Sequence, residues 1–202
     1  MKYIVEKKIR ENLVLLKQKK IPQNYPEEFL KDRTLILKRP EYIKLQGFTL
    51  LTDDWVSILA KWIGDRKVLE VFSGCGSLAK CLKDKGIDIK ATDNFEWKDK
   101  WNALWYDVEE LDAIGAIERY NDVDIILMSW APLNSDIDYK SLEKMREVNP
   151  NAVMLILGEF GGCTNSQKFV DSLNEIEDEI VTEINRAYIS WPFVHDKFTL
   201  GK

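Results

Sequence analysis

An α/β fold on a mostly parallel central sheet is predicted by three features of this sequence. Apolar runs alternate with segments of helical periodicity from residue 67 onward. The first run, Lys67-Val-Leu-Glu-Val71, ends in a glycine-rich turn, Phe72-Ser73-Gly74-Cys75-Gly76, which opens a helix. The next run ends at an acidic residue, Asp93. Strand, turn, helix, strand and acidic tip fit one βαβ unit, and glycine in such a turn lets the backbone approach a bound nucleotide closely.

The remaining elements follow in order. Ile4, Val5, Ile9, Leu13 and Leu16 recur at roughly helical spacing, so an amphipathic helix is expected, ending before Pro22. Pro22, Pro26 and Pro40 punctuate a connecting stretch whose one apolar run, Leu35-Ile36-Leu37, reads either as an added strand or as a clamp over the cofactor. Residues 1–46 are expected as a helical extension and residues 47–202 as the α/β domain. Thr52 is the expected N-cap of a helix carrying Trp55, Leu59, Trp62 and Ile63 on one face, with Gly64 as its stop. After the first strand, Ser77 to Lys85 reads as a helix and Ile87 to Thr92 as a strand. Val123 to Met128 reads as strand four, Ser141 to Val148 as a helix and Ala152 to Leu157 as strand five. Ser166 to Ile176 is expected as a further helix, with Ile180 to Ile184 and Lys197 to Leu200 as closing strands.

Gly74-Cys75-Gly76-Ser77-Leu78-Ala79 formally satisfies the dinucleotide pattern Gly-x-Gly-x-x-Gly/Ala. Glu70 stands four residues before the first glycine, and an anion there would repel a pyrophosphate. The same anion suits a cofactor carrying an ammonium and a sulfonium. A nicotinamide oxidoreductase is disfavoured on that charge.

Val68-Leu-Glu-Val-Phe-Ser-Gly-Cys-Gly-Ser77 resembles the first motif of class I S-adenosylmethionine-dependent methyltransferases, and Ala91-Thr-Asp93-Asn94 resembles their ribose-binding strand end. The resemblance continues over about residues 47–202. Ser129-Trp130-Ala131-Pro132-Leu133, Gly158-Glu159-Phe160-Gly161-Gly162-Cys163-Thr164 and Trp191-Pro192-Phe193-Val194-His195-Asp196 are similar to a branch common in phage and microbial sequences, which has Ser-Trp-Pro-Pro-Tyr at the first of these places. The resemblance implies a Rossmann-like sandwich with an antiparallel C-terminal strand. It implies S-adenosylmethionine as cofactor, held by Glu70, Phe72, Ser73, Gly74, Cys75, Gly76, Asp93, Asn94 and Ser129, with Asp93 on the ribose hydroxyls. Trp97, Trp101, Trp105 and Tyr106 form an aromatic-dense segment reaching Asp107; this segment reads equally as core packing or, through Asp107, as the adenine contact.

Ser129, Trp130, Pro132, Glu159 and His195 are the residues placed at the chemistry. Amino-methylating relatives orient a flat amine with a polar residue and prolyl carbonyls of the fourth-strand loop and stack an aromatic on it. Ala131 and Leu133 stand where the branch has its first proline and its aromatic, leaving Trp130 as the available ring. The departure allows an altered substrate or a catalytically inactive binding or inhibitor protein of phage accessory type. Glu159 reads as a proton acceptor, as a substrate-amine ligand or as a plain loop-tip charge. His195 reads either as a structural residue paired with Asp196 or as a base. The Phe-Ser-Gly-Cys-Gly turn also resembles cytosine-5 methyltransferases, but Ser129 to Pro132 lacks the cysteine nucleophile that attack on ring carbon needs.

Bulk properties agree with one domain: 202 residues, 45% hydrophobic and 31% charged. Neither a secretory signal nor an apolar span of ~18 residues is read, so the expected place is the cytoplasm and no membrane partner is expected. Cys75, Cys81 and Cys163 form no Cys-x-x-Cys pair and His195 is the only histidine, which supports neither zinc nor a disulfide framework. Residues 1–46 carry 12 Lys/Arg against 6 Asp/Glu, while residues 47–202 carry 17 against 28. The basic run from Lys7 to Lys20 reads as a solvated helix face before it reads as a phosphate contact. The acidic body points to a small-molecule, protein or nucleotide-containing acceptor rather than long duplex DNA.

Overall fold

A computed structural model describes residues 2–25 and 33–202. Pro26 and the side chain of Ile4 lie outside the described residues. The helices and strands run α1 (Lys2–Lys17), α2 (Arg33–Gln46), α3 (Asp53–Ile63), β1 (Val68–Val71), α4 (Ser77–Asp84), β2 (Ile89–Asp93), β3 (Val108–Glu110), α5 (Ala113–Arg119), β4 (Ile125–Ser129), α6 (Ile137–Val148), β5 (Val153–Gly158), α7 (Gln167–Ser172), α8 (Glu179–Ala187) and β6 (Lys197–Gly201).

The strands form one sheet in the order β3-β2-β1-β4-β5-β6, parallel except for β6, which runs antiparallel to β5 from Met154–Gly201 to Gly158–Lys197. This is the Rossmann-like, mostly parallel sandwich with an antiparallel C-terminal strand that the sequence led us to expect. Strand order reverses between β1 and β4, which pair in register from Val68–Ile125 to Val71–Met128. A crevice therefore opens beyond the carboxyl ends of β1, β2 and β4.

Alternation along the strands feeds two cores. In β4, Ile125 and Leu127 face the core shared with α3, α4 and α8, while Ile126 and Met128 face the core shared with α5, α6 and α7. Val5, Ile9, Leu13 and Leu16 of α1 and Leu35 and Tyr42 of α2 belong to the first of these cores. No described helix is long and apolar enough to cross a membrane.

One expected strand is a helix, and so is a segment for which a strand is one of two readings. Leu35-Ile36-Leu37 lies in α2, which runs through Pro40. Only Leu35 of the three is buried, Leu37 is 80% exposed, and the inward positions are Leu35, Tyr42 and Gln46, a helical stripe hidden beneath a contiguous apolar triplet. Ile180 to Ile184 lies in α8, where Val181 and Ile184, three apart, are buried and Ile180 is exposed. Asp178 caps this helix by accepting from Ile180 N and Val181 N, 2.8 and 2.9 Å. The helix expected over Ser166 to Ile176 is shorter: Ser166 caps α7, and beyond it Ile176 N donates to Leu200 O, turning the chain along β6.

Candidate functional site

The turn after β1 is shaped by alternating left-handed backbone. Phe72, Gly74 and Gly76 have φ of 56, 57 and 70°. Trp130, which follows β4 as Phe72 follows β1, has φ 55°. Two bulky residues in this region, side by side at the strand ends, are strained positions of the kind that collect at ligand sites.

The two glycines serve different ends. At Gly74 a Cβ would lie 3.2 Å from the Trp101 ring, so the missing side chain lets the indole rest on the turn. At Gly76 a Cβ would come within 2.6 Å of Val108 and 2.9 Å of Tyr106, so this glycine seats β3 against the turn. Gly76 N closes the turn on Ser73 O at 2.8 Å, and Ser73 Oγ donates to Thr92 O at 3.0 Å.

Asp93 bridges the two strand ends. Its carboxylate accepts from Gly74 N at 2.8 Å and from Phe95 N at 2.7 Å. Burial pushes its pKa up, opposed by these two bonds. Glu70 lies deeper, 1% exposed, with Oε2 free of any hydrogen bond. Burial first, and then Asp93, push it up to about 8 against a backbone bond from Ala79. Cys75, also buried, is pushed up to about 11 by burial and stays a thiol.

These groups border one cavity of about 300 Å³. Of the residues predicted from sequence, Glu70, Phe72, Ser73, Gly74, Cys75, Asp93, Asn94, Ser129, Trp130 and Pro132 line it. Gly76 is behind the turn, and Asp107 is exposed and outside the lining. Sequence reasoning missed Gln46, Phe48 and Thr49, which close the cavity from the segment before α3, and Ser135 and Ile137 at the start of α6. No local pattern marks them. Trp97 and Trp101 also line it, and their dense spacing just after Asp93 was the available signal.

The fourth-strand loop departs most from expectation. Ala131 is buried and its carbonyl accepts from Asn165 N at 3.0 Å, while Pro132 forms a bridge with Thr164. Leu133 is 40% exposed and does not line the cavity. Trp130 does, but its ring is already stacked on Phe48, with centroids 5.3 Å apart and 16° between planes. Ser129 Oγ is buried without a partner.

Glu159 and His195 meet each other outside the cavity. Glu159 Oε1 accepts from His195 N at 2.8 Å and lies 3.2 Å from Nδ1, and Oε2 accepts from Cys163 N at 3.2 Å. The Cys163 bonds, with those from His195, hold its pKa below the usual range. His195 is thus paired with Glu159 and not with Asp196, whose Oδ2 accepts from Tyr188 OH at 2.6 Å. Neighbours entering an extended strand point to opposite sides, which separates the two. Asp138, fully buried, ties this region to α6 through Ser166 N, Ser166 Oγ and Asn165 Nδ2.

No protein-family model matches the chain, and no curated protein matches it. Among solved structures it is similar to TehB from Haemophilus influenzae, with 17% identity and TM-score 0.49 over 82% of this chain and 66% of that one. It is also similar to a SAM dependent methyltransferase from Archaeoglobus fulgidus, with 14% identity and TM-score 0.47 over 85% and 100%. Human N-acetylserotonin methyltransferase in complex with SAM gives 13% identity and TM-score 0.46 over 88% and 60%. The chain therefore spans about two thirds of the TehB chain, and its architecture stands on its own strand order and strand directions.

Proposed function

We propose that this chain binds S-adenosylmethionine in the cavity beyond β1, β2 and β4 and transfers its methyl group to an acceptor held beside Trp130. The observation that carries the reading is Glu70, a buried carboxyl with an unpartnered oxygen on the cavity wall. A buried unpaired carboxylate is unfavourable unless a cation or hydrogen-bond donor meets it, and the ammonium of the cofactor supplies both. Asp93 keeps lone pairs beyond the two backbone bonds it accepts, which fits a ribose diol. Ser129 Oγ offers a further partner.

When bound, the cofactor supplies a methyl group activated by a sulfonium for in-line displacement. The task of the chain is then to hold the acceptor in line and keep water out. Phe48, Trp97, Trp101 and Trp130 give that end of the cavity apolar walls. Glu159 and His195 meet each other outside the cavity and are given no step in the transfer. The net acidity of residues 47–202 favours a small-molecule, protein or nucleotide-containing acceptor over long duplex DNA. The outward turn of Leu133 favours a second reading, a cofactor-fold binding protein without turnover.

The deciding experiment is calorimetric titration of the protein with S-adenosylmethionine and S-adenosylhomocysteine, with NAD as control. Saturable binding of the first two is expected, with proton release below pH 8, because the ammonium favours ionised Glu70. Affinity is expected to climb from pH 6 to about 8 and to fall above that, as the α-amino group of the ligand loses its own proton. Absence of binding, or proton release unchanged in Glu70→Gln, would remove the reading.

A further inference from the structure

Arg39 stands on α2, in a segment that none of the sequence motifs covers. Its guanidinium carbon lies 5.8 Å from the ring centroids of both Trp130 and Trp191. Its Nε is buried with no hydrogen-bond partner. It takes part in none of the ion pairs formed among the described residues.

The other arginines set the contrast. Arg66 donates to Trp62 O and Ile63 O, Arg119 meets Glu109, and Arg146 meets Glu143, Ser172 O and Lys202 O. Arg10 and Arg186 are exposed to water. Among the arginines whose side chains are described, Arg39 alone is half-buried with its donors unanswered. A guanidinium stays charged at any physiological pH and presents a planar fork suited to carboxylate or phosphate. Two indoles attract it through their ring faces but accept none of its N–H bonds.

We propose that Arg39 is an anion-binding subsite of the acceptor pocket, so that the acceptor carries a carboxylate or a phosphate. Trp130 links the subsite to the reaction, since its ring both lines the cofactor cavity and lies under Arg39. The subsite deepens the methyltransferase reading and rests on it for the word acceptor, but anion binding itself does not. The chain segment carrying Arg39 is the basic one, which further favours an anionic ligand.

The test is tryptophan fluorescence of the full chain, because Trp130 and Trp191 flank the charge. Benzoate and phenyl phosphate would be titrated at fixed ionic strength, with benzamide as the neutral control, with and without S-adenosylhomocysteine. A saturable change with benzoate assigns a carboxylate, one with phenyl phosphate assigns a phosphate, and benzamide should give none. Arg39→Gln should weaken the response at least tenfold, and Arg39→Lys, which keeps the charge but loses the fork, should fall between. Binding of S-adenosylhomocysteine by each variant reports that it is folded; if Arg39→Gln fails that check, Arg39→Lys carries the comparison. No saturable response to either anion in the parent chain, or an equal one in a folded variant, would overturn the proposal. An anion response in a chain that does not bind S-adenosylhomocysteine would remove the cofactor reading and leave the Arg39 subsite standing.

Discussion

At the β1–β2 end of the cavity, the wall is made of backbone. Gly74 N and Phe95 N are fixed by one carboxylate, Asp93, and Ser73 is fixed by Thr92 O. At the β4 end, the wall is made of side chains from distant parts of the chain, Phe48 stacked on Trp130, and it is backed by Arg39 over Trp130 and Trp191 and by Trp191 Nε1 on Phe48 O at 2.6 Å. The first end tolerates few residue types because glycine and an acidic tip are demanded by geometry. The second can be built by any set of rings that pack, so its residue types are less constrained than those of the first end.

Four changes separate the two ends, beginning with the largest. Glu70 sits at the first end with one carboxyl oxygen unpartnered and its pKa raised to about 8. Its neutral form is favoured in the folded state, so stability falls as pH rises from about 4.5 to about 8, and the slope is on the order of 1.4 kcal/mol per pH unit. Glu70→Gln should remove that slope; urea unfolding at pH 5 and pH 8 measures it, and parallel curves for the two proteins would show that burial does not penalise the charge. Gly76→Ala should destabilise by about 2–4 kcal/mol, combining a left-handed non-glycine with overpacking against Val108 and Tyr106. An unfolding midpoint equal to that of the parent would mean the β3 seat yields.

Asp93→Ala should lower S-adenosylhomocysteine affinity roughly ten- to a hundredfold, in keeping with about 1.5–3 kcal/mol for bonds to a charged group. Calorimetry decides this, and retained affinity would detach the acidic tip from the cofactor. The smallest effect belongs to the far side of the fourth-strand loop. Glu159→Gln should cost about 1 kcal/mol at pH 7, from weakened bonds to His195 and Cys163. Because its pKa is lowered, that contribution is present above about pH 4.5 and fades as pH falls. Cofactor affinity should change less than twofold, and a larger change would place Glu159 nearer the cavity than its contacts do.

The same division explains what could be read from the sequence. Gly74, Glu70 and Asp93 were legible because a strand, a tight turn and a strand end fall within one short segment whose residue types are dictated by φ angles and charge. Phe48 and Arg39 were not, since nothing local distinguishes a phenylalanine or arginine that meets Trp130 from one that does not. Misread elements failed for a related reason. In α8 an apolar pair suggests a strand, and in α2 an apolar triplet reads either as a strand or as a clamp, while the buried positions actually recur at helical spacing. The pairing of His195 with Glu159 joins residues 36 apart and depends on β6 lying antiparallel to β5.

The bond from Trp191 to Phe48 spans 143 residues. During synthesis, all five parallel strands and the glycine turn after β1 are made before Trp191 is added. Contacts so distant in sequence form late, since the intervening chain must first be ordered. The backing of the cavity is therefore completed only when Trp191 arrives to hold Phe48 in place.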